Sequence, residues 1–139
     1  METSINVYFK KKLLDKALAV FAKAEINISN GQASDWEIEL LQYLFINEAT
    51  QSLEFQTEED QWEDFDYISE WGTILAPFME NGEILCRGDG NWGIAIKDGI
   101  AYNINFIKVY GMKYEHRIDE SGNYRFSVGE NVKCYREKI

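Results

Sequence analysis

Residues 25–80 contain no lysine and no arginine, yet fourteen acids stand there. Other residue types are scarce as well: one proline, one histidine and two cysteines in 139 residues. Two cysteines, Cys86 and Cys134, are too few for a disulfide framework and read as reduced, small core hydrophobes. With His116 as the sole imidazole, neither a zinc cluster nor a serine or cysteine triad has much material. No apolar run approaches the roughly 18 residues of a membrane span. Met1 to Phe9 lacks the layout of a signal peptide, so the sequence predicts a cytoplasmic protein that does not engage a membrane. Glycine is almost missing from the first half: nine of ten glycines lie at Gly72 or later.

What is present belongs to a folded domain. Hydrophobic residues make up 45% and aromatic residues 14% of the chain, well above a disordered acidic tail. The length suits a single domain over 1–139, with a helical part at about 7–71 and a β part at about 73–137. Charge is segregated within it. Residues 1–24 are net +3, residues 81–139 net +1, and the middle segment carries the whole excess behind the overall −10. A field of that asymmetry steers basic partners and repels nucleic acid.

The most acidic stretch is Glu58 to Trp71, EEDQWEDFDYISEW. Thr57 is placed to cap a helix there, with acids in its first turn where the macrodipole favours them. As a helix it would align Trp62, Phe65 and Ile68 or Ser69 on one apolar stripe. Glu59, Glu63, Asp66 and Glu70 would form a ridge of carboxylates on another. Glu58, Glu59, Asp60, Glu63, Asp64, Asp66, Tyr67 and Glu70 are therefore the predicted partner-binding residues.

Helical spacing of Leu13, Ala17, Val20 or Phe21 and Ala24 predicts a first helix over about Val7 to Ala24. Ser34 and Glu37 form a capping box for a second, running to about Asn47 and apolar nearly all round, with a strand over Gln42 to Ile46 as the alternative. Gly72 is read as the end of the third helix. Beyond it, glycine spacing and period-two runs predict strands. Trp92, Ile94 and Ile96 share a face, as do Met112, Tyr114, His116 and Ile118, and Tyr124, Phe126 and Val128. A bulge is expected at Phe106-Ile107. Asn81-Gly82 and Asp98-Gly99 read as type I′ hairpin turns, and Pro77 as a mark of an edge strand. The predicted fold is α+β: two or three N-terminal helices on a C-terminal antiparallel meander of five to seven short strands, free to curl strongly.

Several motifs fail on context. Gly88-Asp89-Gly90-Asn91-Trp92-Gly93 matches a dinucleotide fingerprint, but the residues after it read as a strand, where a helix is required. Arg87-Gly88-Asp89 and the sequon Asn27-Ile28-Ser29 carry meaning only in an extracellular chain. No metal site, cofactor or catalytic residue is predicted, and the chain is not expected to be an enzyme.

Small size, acidity and the lack of a catalytic signature resemble immunity proteins that neutralise nuclease toxins and phage-encoded antagonists of host defence enzymes. That resemblance implies an inhibitor occluding a basic, nucleic-acid-binding partner protein. Two other readings stay open. One is a small-molecule enzyme or ligand domain with a pocket between sheet and helices near Trp71, Arg87, Trp92 and Tyr102. The other is a self-association module using the Trp36 to Ile46 helix.

Overall fold

A computed structural model of the chain describes residues 2–87, 92–105, 116–118, 124–126 and 135–138. Strand β1 (Glu2–Asn6) leads through a 3₁₀ turn (Lys11–Leu13) into α1 (Leu14–Ser29) and α2 (Asp35–Tyr43). A hairpin of β2 (Leu44–Asn47) and β3 (Ser52–Phe55) follows, then a 3₁₀ turn (Glu58–Trp62) and α3 (Ile68–Leu75). A 3₁₀ turn (Ala76–Phe78) opens the β half: β4 (Gly82–Arg87), β5 (Trp92–Lys97), β6 (Ile100–Asn105), β7 (His116–Ile118), β8 (Tyr124–Phe126) and β9 (Tyr135–Lys138). The fold is α+β, as the sequence predicts.

The main sheet has five antiparallel strands in the order β1-β4-β5-β6-β9, with β2–β3 and β7–β8 as separate two-stranded pairs. The β half is therefore not one continuous meander. Helix α3 lies on the sheet face carrying Ile84, Cys86, Ile94 and Ile96, and buries Ile68, Trp71 and Leu75 there with Phe9 and Met79. Gly72 sits inside α3, not at its end, and a β-carbon added there would stand 2.5 Å from Ile94 Cδ1. This glycine lets a helix approach a strand.

Other expectations need correction. The N-terminal strand is absent from the sequence reading, because Thr3 pairs with Cys86 and nothing near β1 announces so distant a partner. Helix α1 consequently starts seven residues later than Val7, although Ala17, Phe21 and Ala24 do form its buried stripe. The second helix stops at Tyr43 because the chain switches period: Leu44 and Ile46 point in while Phe45 points out. Its all-round apolarity was a helix and a strand read as one element, and the strand alternative describes residues 44–46.

Asp98 (φ 52°) and Gly99 (φ 76°) make the tight turn of the β5–β6 hairpin, as predicted. Asn81-Gly82 does not make a turn of that kind. Asn81 Oδ1 instead accepts the Asp98 N–H at 2.9 Å, and a β-carbon on Gly82 would meet the Asn6 carbonyl at 2.3 Å. Pro77 lies in the 3₁₀ turn after α3, so no edge strand occupies residues 73–79. Cys86 is a buried free thiol whose sulfur accepts the Thr3 hydroxyl at 3.2 Å. Burial raises its pKa, which keeps it protonated and unreactive. Phe106-Ile107, Met112, Tyr114, Val128 and Cys134 lie outside the described residues.

Candidate partner-binding site

The acidic stretch is not one helix. Its first turn is capped as predicted, with Asp60 Oδ2 accepting the Thr57 N–H at 2.9 Å. The turn is 3₁₀, however, and Glu63 already has extended dihedrals, φ −78° and ψ 153°. Regular helix returns only at Ile68. The reason lies in the ridge itself. Like charges at i,i+4 oppose a helix by about 0.2–0.5 kcal/mol per pair, and this segment has no cation to relieve them. Breaking the helix at Glu63 spreads the carboxylates and lets Phe65, Ile68 and Trp71 all reach the core. Trp62 leaves the expected apolar stripe and stands 56% exposed.

The predicted residues therefore separate. Glu58, Glu59 and Glu63 are exposed along the turn and the extended run. Glu70, on α3, borders a different depression with Trp36, Ser69, Thr73 and Ile74. Asp64, Asp66 and Tyr67 come together, and they meet residues the sequence reading passed over. With Asp35, Ile38, Glu39, Gln42 and Tyr43 of α2 they line an open cup of about 200 Å³. The missed signal was on the page of the sequence: Asp35 and Glu39 are one turn apart, with Ile38 and Gln42 on the same face of α2. The apolar residues around the rest of that helix mask this polar face.

Two tethers shape the cup. Glu39, only 6% exposed, receives the Tyr67 backbone N–H and the Trp71 indole N–H on one oxygen, each at 2.9 Å. Desolvation raises its pKa, and these hydrogen bonds oppose that rise. Across the rim the Tyr67 hydroxyl donates to Asp35 at 3.2 Å. Helix α2 itself is seated by Glu37, which accepts the Ser34 N–H at 2.9 Å and Asn27 Nδ2 of α1 at 2.8 Å. The Ser34 backbone bond, ahead of the others, holds Glu37 below the ordinary carboxylate range.

The field in the cup registers on its tyrosines. Burial raises the Tyr43 phenol, and the charges of Glu63, Glu39, Asp60 and Asp66 raise it further. Two of those acids thus act on the cup without lining it. Tyr67 is raised chiefly by its hydrogen bond to Asp35. The wall supplies carboxylates, phenols and one amide, groups suited to receiving an ammonium or guanidinium. No group of three or more His, Cys, Asp or Glu among the described residues is disposed to hold a metal ion.

The other predicted sites fare differently. Trp71 is fully buried with its indole bonded to Glu39, and the void it lines with Thr3, Ile5, Phe65, Ile68 and Ile84 has no room for a water molecule, let alone a ligand. Arg87 ends β4 and Trp92 begins β5, so the glycine-rich run leads into a strand and no helix receives a pyrophosphate; Gly88 to Asn91 lie outside the described residues. No helix among the described residues is long and apolar enough to cross a membrane. No family model matches the chain, and no curated protein or solved structure shows significant similarity to it.

Glu39 gives a test of this architecture. Its folded-state pKa is raised, so the folded state holds that proton more firmly than the unfolded chain does. The resulting stabilisation is complete below the unfolded pKa and is lost as pH rises through the folded one. Glu39→Gln removes the titration while keeping an oxygen for both donors. Its melting temperature relative to wild type should therefore climb as pH rises from about 4, the unfolded carboxylate value, through the raised folded one. A difference that stays flat across that range would rule out the buried-carboxylate account. Glu39→Leu orphans the buried Trp71 indole N–H and the part-buried Tyr67 N–H, and should cost roughly 2–5 kcal/mol at any pH, read by chemical denaturation.

Proposed function

We propose that this chain is a small acidic inhibitor that receives a basic, nucleic-acid-binding protein at the α2 cup and occludes its working surface. Biological settings that fit are immunity against a nuclease toxin and phage antagonism of a host defence enzyme. One observation carries the reading. Carboxylates from two separate stretches of chain, Asp35 and Glu39 on α2 and Asp64 and Asp66 beyond the 3₁₀ turn, converge on one concavity. Chance acidity on a solvated surface gives no reason to bring them together against their mutual repulsion, and to hold them there with a buried tether.

The mechanism is competition by charge and shape. Exposed Glu58, Glu59 and Glu63 extend the negative potential beyond the cup, which speeds encounter with a cationic surface. At the rim such charges contribute more to association rate than to final affinity. Phosphate-binding sites are built from arginines and lysines, and a fixed set of carboxylates competes for those side chains directly. Trp62, exposed among the acids, supplies an aromatic anchor of the kind that dominates interface energetics.

The test is affinity purification from the native host, followed by a salt titration of whatever partner is recovered. A basic protein should be retained at low salt and released as ionic strength approaches 1 M, where the screening length falls to about 3 Å. Retention insensitive to salt, or a partner without a basic surface, would contradict the proposal.

A further inference from the structure

Beside the cup lies a second depression, about 360 Å³, lined by Trp36 of α2 and by Ser69, Glu70, Thr73 and Ile74 of α3. Consecutive residues Asp35 and Trp36 line one hollow each, so the two are neighbours across the start of α2. Their characters differ. The cup is walled by carboxylates and phenols. The groove is largely apolar, with Trp36 at one side, Ile74 37% exposed at the other and the carboxylate of Glu70 at its edge.

Resting on the reading of the cup as a cation-binding surface, we propose that cup and groove form one composite site for a basic amphipathic segment of the partner. Arginine or lysine side chains of that segment enter the cup and face Glu70, while one apolar side chain next to them fills the groove. Charge complementarity selects this occupant over a neutral apolar one. The groove carries Glu70 at its edge and adjoins the acid-lined cup, and residues 25–80, which supply the walls of both hollows, contain no lysine or arginine. A purely polar basic segment would leave Trp36 and Ile74 in water. An apolar segment lacking cations would desolvate the bordering carboxylates without pairing them, which is costly. The groove thus adds discrimination that acidity alone lacks: it distinguishes one basic protein from another.

The experiment uses the full chain and two labelled synthetic peptides of equal charge. One is arginine-rich with a central leucine; the other has serine in that place. Fluorescence anisotropy should show the leucine peptide binding about tenfold tighter or better, as expected for burying one aliphatic side chain. Ile74→Ser shortens the groove wall, and Thr73→Trp, at an exposed position, fills the groove from its rim. Both variants, checked for unchanged melting, should abolish the leucine preference while leaving the serine peptide's affinity within about threefold.

Equal affinity of the two peptides for the wild type would overturn the composite site and leave the cup reading intact. Failure of both peptides to bind would overturn the two together. A leucine preference surviving both substitutions would overturn the placement of the apolar contact at this groove.

Discussion

Phe65→Ala should lower the stability of the domain by about 3–5 kcal/mol, the range for emptying a buried aromatic site. Phe65 is 2% exposed and packs edge-on against Tyr43 and Trp71, with ring centroids 5.5 Å and 6.4 Å away, and tilted against Phe55 at 6.0 Å. It is the pin between Asp64 and Asp66, turned inward while its two neighbours face solvent. Without it the extended run has no apolar reason to stay against the core, so the cup should open before the whole domain melts. Calorimetry should show a melting temperature lower by about 10 °C or more. Trp62→Ala, three residues earlier, should change stability by less than about 0.5 kcal/mol, because most of that side chain is already in water. Comparable losses for the two variants would contradict a buried Phe65 beside an exposed Trp62.

The second large effect concerns the partner. Asp35→Asn, Asp64→Lys and Asp66→Lys introduced together should cut affinity for the recovered basic protein by at least about a hundredfold at low salt, with most of the loss in association rate. Asparagine is chosen at Asp35 because that residue opens α2, where a lysine would oppose the helix macrodipole. A control with the same change in net charge uses the exposed Glu25→Lys, Glu48→Lys and Glu80→Gln. The control should retain affinity to within a few fold, since those positions lie elsewhere on the domain. Equal losses in both sets would assign the effect to net charge and leave the cup without a role. The gap between the sets should narrow as salt is added, following the shrinking screening length.

Local physics was legible in the sequence and long-range pairing was not. Ser34 with Glu37 and Thr57 with Asp60 announce two helical starts, because a cap acts within three residues. Asp98-Gly99 announces its hairpin for a similar reason, as positive φ at two adjacent positions has few other uses. The strand at Glu2–Asn6 has no such signature; its reason for being extended stands on β4. The acidic segment misled for a subtler cause. Its i,i+4 spacing favours a helix geometrically while its charge opposes one, and charge together with the burial of Phe65 prevailed. The candidate site is accordingly a hollow between two elements, where the sequence predicts a ridge on one. Asp64, Asp66 and Tyr67 are legible from composition; Asp35 and Glu39 show in the sequence as acids one turn apart on α2, but what that face meets does not.

The pairing of Thr3 with Cys86 has a consequence for how the molecule is made. The strand that leaves the ribosome early must wait unpaired until Gly82–Arg87 has followed it out, and every acid of the site is synthesised in the interval. Closing so long a loop is entropically slow, so the nascent chain passes through a stage with its charges displayed and its scaffold unfinished. A stop codon between Phe78 and Gly82 would strand the N-terminal segment without its neighbour and leave Trp71 uncovered on the sheet side. Such a fragment would keep every acid of the cup and should still fail to hold the cup's shape.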